Sequence, residues 1–250
     1  MRSLTVLGSC GAWPEPGRAC AGFLLEYDGF KLVLDLGYAA LPQLLKHCPD
    51  GTVDAVIVTH QHPDHCVDVS ALARVRYYVT PDAPPIPLYC PPGVLDVLRT
   101  LEPRPDPATV FDVRDLQETT IGPFHLETAL LPHYVTNLGI RLSTPDLTVA
   151  YTGDSGPGPE AAALAAGADL FICDATLQGP SPETTPRYVM TATEAATAAV
   201  GAKKLLLTHF WPGSDRAVSI AEAQQVFDGE VVAAEEELVL SLGGGRGGSG

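Results

Sequence analysis

The sequence lacks several features that define large classes of protein. No stretch approaches about 18 consecutive apolar residues, and the apolar run at the N-terminus is too short for a signal peptide. No basic stripe is present, because 15 basic residues stand against 30 acidic ones and the formal charge is −15. Such a charge repels polyanions and argues against a long nucleic acid as substrate. We therefore expect a cytoplasmic enzyme with no membrane partner.

The cysteines lack the spacing of a metal or redox motif. None of the six forms a CxxC pair, and several lie in apolar runs typical of buried strands. This pattern favours scattered reduced thiols in an intracellular protein, while a bridge between Cys10 and Cys20 stays open as the alternative.

Length and composition predict a single folded domain over residues 1–242. The chain has 250 residues, of which 46% are hydrophobic and 18% charged, so a large buried core is possible. Residues 243–250 are almost entirely glycine and small polar residues, and we predict that they form a flexible tail outside the domain.

The order of predicted elements indicates an α/β fold with two sheets. Strand-like runs dominate the first half, including a hairpin across Asp28 and Gly29 and a buried strand over 53–58. Strands and helices alternate in the second half. This mixture predicts two sheets packed face to face with helices outside, a four-layer αββα sandwich.

Several helices and one loop are predicted from local signals. Helical spacing covers 67–77, and two capping-box patterns, Thr191 with Glu194 and Ser219 with Glu222, predict helices over 191–200 and 219–227. The proline-rich stretch 80–92 predicts a rigid segment around a short strand, which either borders the functional site or serves as a stiff connector.

The sequence Thr-His-Gln-His-Pro-Asp-His at 59–65 is the strongest functional signal in the chain. It follows the predicted buried strand directly, and it holds His60, His62, Asp64 and His65 within six residues. Histidine is the commonest metal ligand, and two histidines spaced two apart on an extended segment point to the same side. The alternative is a histidine-rich surface turn, but the cluster follows a core strand. The pattern therefore predicts a metal site.

Three more residues are candidate ligands because each follows an apolar strand-like run. They are His133, Asp154 and His209. Glycines flank Asp154 and would let the backbone come close to an ion. Together with the cluster, these residues supply enough ligands for two ions bridged by one carboxylate.

These motifs resemble those of the metallo-β-lactamase superfamily. The segment 59–65 is similar to its HxHxDH signature, and the three downstream residues come in the order of that family. Leu-Pro-His at 131–133, Tyr-Thr-Gly-Asp at 151–154 and Leu-Thr-His-Phe at 207–210 resemble the ribonuclease Z-like branch, which includes tRNA 3′-end endonucleases and smaller bacterial phosphodiesterases. The resemblance runs from the first strand to about residue 242.

The resemblance implies a dinuclear hydrolase of the metallo-β-lactamase fold. It implies that His60, His62 and His133 bind one ion, that Asp64, His65 and His209 bind the other, and that Asp154 bridges them. Imidazole and carboxylate ligands suit zinc, with manganese or iron as alternatives. A bridging hydroxide would then attack the substrate, with Asp64 orienting it or carrying its proton. A homodimer is implied by the resemblance alone.

The chain departs from the ribonuclease Z pattern at three places. Asp174 stands where the family carries glutamate, which keeps the carboxylate and its candidate catalytic role. Val189 stands where a catalytic histidine is expected, so Arg187 and Tyr188 become the candidate substrate-binding residues. The alternative is that Arg187 and Tyr188 are ordinary surface residues of a loop. The long arm that binds tRNA in that family is also missing.

The leading hypothesis is a metal-dependent phosphodiesterase that acts on a small substrate, for example a cyclic nucleotide. A tRNA 3′-processing endonuclease is the alternative within the same branch. A lactonase or thioesterase would use the same site on a carbonyl carbon. A metal-binding homologue without turnover is the alternative from a different functional class.

Overall fold

The computed structural model describes residues 2–243, which form two seven-stranded sheets packed face to face. The first sheet takes its strands from the first half of the chain: β1 (Arg2–Gly8), β2 (Gly22–Tyr27), β3 (Phe30–Leu36), β4 (Ala55–Ile57), β5 (Ile86–Cys90) and β6 (Phe111–Asp115). They lie side by side in chain order. The pairs from β1 to β3 are antiparallel and those from β3 to β6 are parallel.

The second sheet also follows chain order: β7 (Thr119–Ile121), β8 (Phe124–Leu131), β9 (Asn137–Ser143), β10 (Thr148–Tyr151), β11 (Leu170–Asp174), β12 (Lys204–Thr208) and β13 (Glu230–Ala233). It is antiparallel from β7 to β10 and parallel from β10 to β13. The last strand, β14 (Val239–Ser241), pairs with β1 and so returns the chain to the first sheet.

Helices cover the outer faces of both sheets. The first sheet is covered by α1 (Ala40–His47), α2 (Pro63–Val79) and α3 (Val94–Leu101), and a short 3₁₀ helix, Pro107–Thr109, precedes β6. The second sheet is covered by α4 (Pro159–Ala165), α5 (Ala192–Ala198) and α6 (Arg216–Ala223). The predicted αββα sandwich is therefore confirmed.

The core has one layer between the sheets and further layers under the helices. Alternate residues of β2 show why both faces of a strand are apolar: Phe23 and Leu25 lie in the core cluster between the sheets, whereas Leu24 lies in the cluster beneath α1 and α2. Strands buried on both faces read as continuous apolar runs, which is the pattern seen in the sequence. The hairpin between β2 and β3 turns at Asp28 and Gly29, both with positive φ, as predicted.

Helix α2 begins four residues earlier than the sequence pattern predicts. The expected span was 67–77, with Pro63 bending the chain before it. Instead Pro63 is the first helical residue, a position where its missing N–H is not needed, and His62 is the extended residue before it. Asp64 and His65 therefore lie in the first helical turn, and the fixed geometry of that turn sets the directions of their side chains.

One other prediction was wrong, and one strand was missed. The capping box at Ser219 does not exist, because α6 begins at Arg216 and Asp215 is its cap, accepting a hydrogen bond from the Ala217 N–H. Ser219 is buried inside that helix. Strand β6 was not predicted, because its alternating charged residues hide an edge strand that pairs with β5.

The remaining sequence expectations concern cysteines, membranes and the tail. All six cysteines are buried free thiols, so Cys10 and Cys20 are neighbours without a disulfide. Among residues 2–243, no helix is both long and apolar enough to cross a membrane. The predicted tail falls, from residue 244 onward, outside the described residues.

The capping box of α5 gives a prediction about stability. The Thr191 hydroxyl accepts a hydrogen bond from the Glu194 N–H, and the Glu194 carboxylate accepts one from the Thr191 N–H. Removing the hydroxyl in Thr191→Ala leaves a backbone donor unpaired and should lower the free energy of unfolding by about 1 kcal/mol in urea denaturation. Thr197→Ala, an exposed position on the same helix, should change it by less than about 0.5 kcal/mol. Equal losses in both variants would contradict a capping role.

Candidate metal centre

The candidate ligands meet where strands of both sheets end. His60 and His62 follow β4, and Asp64 and His65 open α2. The other three candidates follow strands of the second sheet: His133 after β8, Asp154 after β10 and His209 after β12. The structure therefore brings together all seven residues that the sequence singled out.

The first cluster contains three imidazoles that converge on one point. Nδ1 of His62 lies 3.1 Å from Nε2 of His60 and 3.0 Å from Nε2 of His133. Asp154 completes this group, with Oδ2 at 3.8 Å from His60 Nε2 and 3.7 Å from His133 Nε2. These nitrogen and oxygen atoms can serve as the donor set of one divalent ion.

The second cluster lies against the other oxygen of the same carboxylate. Oδ1 of Asp154 lies 2.9 Å from Nε2 of His65 and 3.0 Å from Nε2 of His209. Asp64 Oδ2 lies 3.3 Å from His209 Nε2 and 3.7 Å from His65 Nε2. Asp154 thus turns one oxygen to each cluster, which is the arrangement expected of a carboxylate shared by two ions.

Four of the five histidines are held from behind by a partner on the ring nitrogen that faces away from the cluster. His65 Nδ1 lies 2.7 Å from Asp35 Oδ2, and His133 Nδ1 lies 3.0 Å from the Tyr188 carbonyl oxygen. His60 Nδ1 and His209 Nδ1 contact threonine hydroxyls, at 3.1 Å in Thr59 and 2.8 Å in Thr176. Such partners fix the orientation and tautomer of a ligating imidazole.

Asp35 is the principal site residue that sequence reasoning missed. It lies at a β-bulge between β2 and β3, with φ of 55°, and this bend directs its side chain toward the site. Its carboxylate accepts hydrogen bonds from the Thr59 N–H, the Thr59 hydroxyl and the Tyr151 hydroxyl as well as contacting His65. A lone aspartate in the apolar run Leu-Val-Leu-Asp-Leu was the signal that could have found it.

Asp174 lies behind His209 and is fully buried. The Thr176 hydroxyl donates to Asp174 at 2.7 Å and is the group that contacts His209 Nδ1. Backbone N–H groups of Ser155 and Thr176 also donate to this carboxylate. In this placement Asp174 contacts His209 through the Thr176 hydroxyl, and its catalytic role stays a prediction.

The predicted substrate contacts lie beside His133 on the loop before α5. Both terminal nitrogens of Arg187 bind the Glu194 carboxylate, at 2.8 and 2.7 Å, so its guanidinium is engaged within the protein. The Tyr188 ring packs on the ring of Tyr134, with centroids 4.0 Å apart. Val189, where a histidine was expected, is partly buried next to them and carries no polar side chain. Substrate contact by Arg187 or Tyr188 stays a prediction.

The close contacts around the site require glycine at two positions. Gly153 has φ of 60°, and a Cβ there would lie 2.7 Å from the Thr59 hydroxyl. A Cβ on Gly37 would lie 1.8 Å from the Asp64 carbonyl oxygen. The glycine before Asp154 was expected to let the backbone approach an ion. In the structure it accommodates Thr59, which supports His60.

The two clusters differ in their charge when no ion is bound. Burial lowers the pKa values of His60, His62 and His133, so these imidazoles are neutral near pH 7. Burial also opposes the charge on His209, but Asp154 and Asp64 outweigh it and raise its pKa to about 10. The pKa of His65 is likewise raised well above its usual value, against its burial, by Asp154, Asp35 and Asp64. The second cluster is therefore cationic on its histidines and anionic on its carboxylates.

Two observations indicate that divalent ions fit these residues. Nε2 of His65 and Oδ1 of Asp154 are buried and lie 2.9 Å apart without the alignment of a hydrogen bond, so neither atom has the partner that buried polar atoms normally have. The donors are imidazole nitrogens and carboxylate oxygens that lie within 4.8 Å of one another in each cluster. Zinc, and also manganese or iron, accept these donors.

Comparison with known proteins places the chain in a family. A family model described as a beta-lactamase superfamily domain matches residues 33–210. The chain belongs to the metallo-β-lactamase superfamily. The protein ML1173 of Mycobacterium leprae is 35% identical, over 91% of this chain and 84% of that one. Ribonuclease Z of Haloferax volcanii is 27% identical, over 95% and 94%.

A solved structure agrees with this placement. The metallo-beta-lactamase fold protein YhfI of Bacillus subtilis has a TM-score of 0.87 and 28% identity, and the match covers 97% of this chain and 99% of that one. The predicted family and fold are therefore confirmed. The two clusters of histidine and aspartate are those of a metal-dependent hydrolase.

The position of Asp35 gives a prediction about metal affinity. Asp35→Asn keeps the size of the side chain but removes one acceptor from the set that orients His65 and Thr59, so we expect divalent metal to bind about 10–100-fold more weakly. Competition with a chromophoric chelator measures this. Asp169→Asn is the matched control, because Asp169 also accepts a backbone N–H but lies at the opposite end of β11 from Asp174. Unchanged affinity in Asp35→Asn would show that orientation by this residue is unimportant.

The charge on the second cluster predicts that zinc uptake releases protons. A ligating imidazole must be neutral, so His65 and His209 have to lose their protons, whereas His60, His62 and His133 have none to lose. Near pH 7 we expect about two protons released when both ions bind, and affinity that rises as the pH approaches the His209 value of about 10. Calorimetry in two buffers of different ionisation enthalpy counts the protons. His209→Ala should release about one proton fewer, and no release in the wild-type protein would contradict the prediction.

Proposed function

We propose that this protein is a dinuclear metal-dependent phosphodiesterase that acts on a small substrate, such as a cyclic nucleotide. The observation that carries the proposal is the shared carboxylate of Asp154, whose two oxygens face two separate ligand clusters. Two-metal sites are the usual arrangement for cleaving phosphate esters, because they stabilise both the attacking and the leaving oxygen. Similarity to a ribonuclease Z supports phosphodiester chemistry over attack on a carbonyl carbon.

In this proposal each cluster would hold one ion. His60, His62 and His133 would hold the first, Asp64, His65 and His209 would hold the second, and Asp154 would be shared by both. Zinc is the proposed metal. When bound, two such ions supply a nucleophile from water near neutral pH and neutralise charge on the phosphate oxygens.

The chain's own residues position these groups and orient water. Burial raises the pKa of Asp64, but His65 and His209 outweigh burial and hold it well below the usual range, so this side chain stays an ionised carboxylate that accepts hydrogen bonds and is too weak a base to take up a proton. The Ala12 N–H donates to its Oδ2 at 2.7 Å and leaves Oδ1 to orient a water molecule. Asp35 and Asp174 fix the imidazoles from behind.

A small substrate is favoured by charge and by the short connection after Asp154. Residues between Asp154 and Asp174 contain only α4 and β11 with their turns, so no basic arm extends from this part of the chain. The formal charge of −15 opposes a long RNA. The guanidinium of Arg187 is engaged by Glu194, and Val189 supplies no proton donor, so we propose that the leaving oxygen takes its proton from water.

A tRNA 3′-processing endonuclease is the second candidate, favoured by the similarity to ribonuclease Z. Purified protein tested on precursor tRNA, cyclic mononucleotides, cyclic dinucleotides and an acyl-lactone separates the candidates. Accurate cutting of precursor tRNA would replace the leading proposal, and turnover of the lactone without any phosphodiester cleavage would refute it. Two bound ions with no ester turnover would indicate a binding protein. Cytoplasmic location remains a prediction from the sequence, and a homodimer remains one from the family resemblance alone.

The shared site predicts which substitutions abolish activity. Zinc- or manganese-loaded protein should hydrolyse bis(p-nitrophenyl) phosphate, as measured by release of p-nitrophenolate. His62→Ala and Asp154→Ala each remove a ligand, and each should reduce kcat about a thousandfold. This loss is larger than the roughly 10–100-fold that is typical when a hydrogen-bond partner of a ligand is removed. His125→Ala removes an exposed histidine on β8 and should leave kcat unchanged. Full activity in Asp154→Ala would overturn the proposed role of that carboxylate.

A further inference from the structure

Two tyrosines form an exposed aromatic surface beside the first cluster. Tyr134 directly follows His133 in the chain, and 72% of its surface is accessible to solvent. Its ring lies over that of Tyr188, with centroids 4.0 Å apart and planes inclined by 38°. The two rings lie 5.5 and 6.5 Å from the His133 ring. We call these two residues the tyrosine pair.

Neither ring is needed to build the cluster or the core. Tyr188 holds His133 through its backbone carbonyl oxygen, so its side chain is not required for that contact. A largely exposed ring such as that of Tyr134 gains little from burial in the folded protein alone. An exposed aromatic ring on a loop beside the site instead points to contact with a ligand.

The geometry of the tyrosine pair differs from that of two other exposed aromatic pairs. Trp13 and Trp211 meet at 81°, and Tyr77 and Tyr78 meet at 88°, so in each case the edge of one ring covers the face of the other. The rings of the tyrosine pair are less inclined, so the Tyr188 ring covers one face of the Tyr134 ring. The opposite face of Tyr134 is left for another planar group. Offset stacking of planar rings is the favoured arrangement for such a contact.

We propose that Tyr134, supported by Tyr188, stacks on the nucleobase of a nucleotide whose phosphate lies at the two clusters. The inference rests on the proposed phosphodiesterase function and adds the residue that selects a substrate with a base. Stacking suits this chain because it supplies affinity without positive charge, while the surface is strongly acidic and Arg187 is engaged by Glu194. Every base has a planar face, so the contact accepts purines and pyrimidines alike.

Equilibrium binding of two phosphates that differ only in the base tests the proposal. Adenosine 5′-monophosphate and ribose 5-phosphate are titrated calorimetrically into zinc-loaded wild-type protein, Tyr134→Ala, Tyr134→Phe and Tyr78→Ala. In the wild type, the nucleotide should bind about tenfold more tightly than the sugar phosphate, the ratio expected of one stacked base. Tyr134→Ala should remove that ratio, while Tyr134→Phe should keep it because it keeps the ring.

Tyr78→Ala is the matched control, because Tyr78 is an exposed tyrosine in an aromatic pair at the opposite end of α2 from His65. It should leave both affinities unchanged, and metal content should be two ions in each variant. Equal binding of the two phosphates, or a ratio unaffected by Tyr134→Ala, would overturn the role of the tyrosine pair and leave the phosphodiesterase proposal standing. Binding of neither phosphate by the zinc-loaded wild type would overturn both.

Discussion

The buried carboxylate of Asp35 is the contact on which the rest of the site depends. It lies between the two sheets, where a charged group without partners would cost several kcal/mol. Thr59, His65 and Tyr151 offset that cost with hydrogen bonds that come from the end of β4, from α2 and from β10. The same bonds fix the relative positions of those elements. The same carboxylate therefore both connects the two sheets and orients the first ligands.

The second sheet contains the same kind of hydrogen-bonded arrangement with different residues. In both places a carboxylate accepts a hydrogen bond from a threonine hydroxyl, which in turn contacts the outer nitrogen of a histidine. Asp35 and Thr59 do this for His60, and Asp174 and Thr176 do it for His209. The first sheet thus orients imidazoles of both clusters, because Asp35 also contacts His65, and the second sheet orients His209. Asp154, which follows β10, joins the two halves through its two oxygens.

Much of this site could be predicted from sequence because its ligands follow strand ends and include a dense local cluster. His133, Asp154 and His209 follow β8, β10 and β12, alternate strands whose carboxyl ends lie at one edge of the second sheet, so these residues could be brought together without knowing the fold in detail. The supporting residues were harder. Thr59 and Thr176 look like ordinary threonines, and the bulge that turns Asp35 inward depends on pairing between β2 and β3. Tyr134 and Tyr188 meet only because the loop before α5 folds back onto His133, a tertiary contact that no local pattern encodes.

The chain is acidic, yet its proposed substrate is an anion. Two different parts of the site would attract the phosphate and select the substrate. Without ions, the charged imidazoles of His65 and His209 only offset the carboxylates of Asp64 and Asp154, and Arg187 is engaged by its own ion pair. Two divalent cations would make the site positive, so attraction for the phosphate would be supplied by the metal and would depend on its presence. Attraction of this kind is the same for every phosphate ester. Selectivity must then come from uncharged contacts beside the clusters, which is the role that the tyrosine pair is placed to fill.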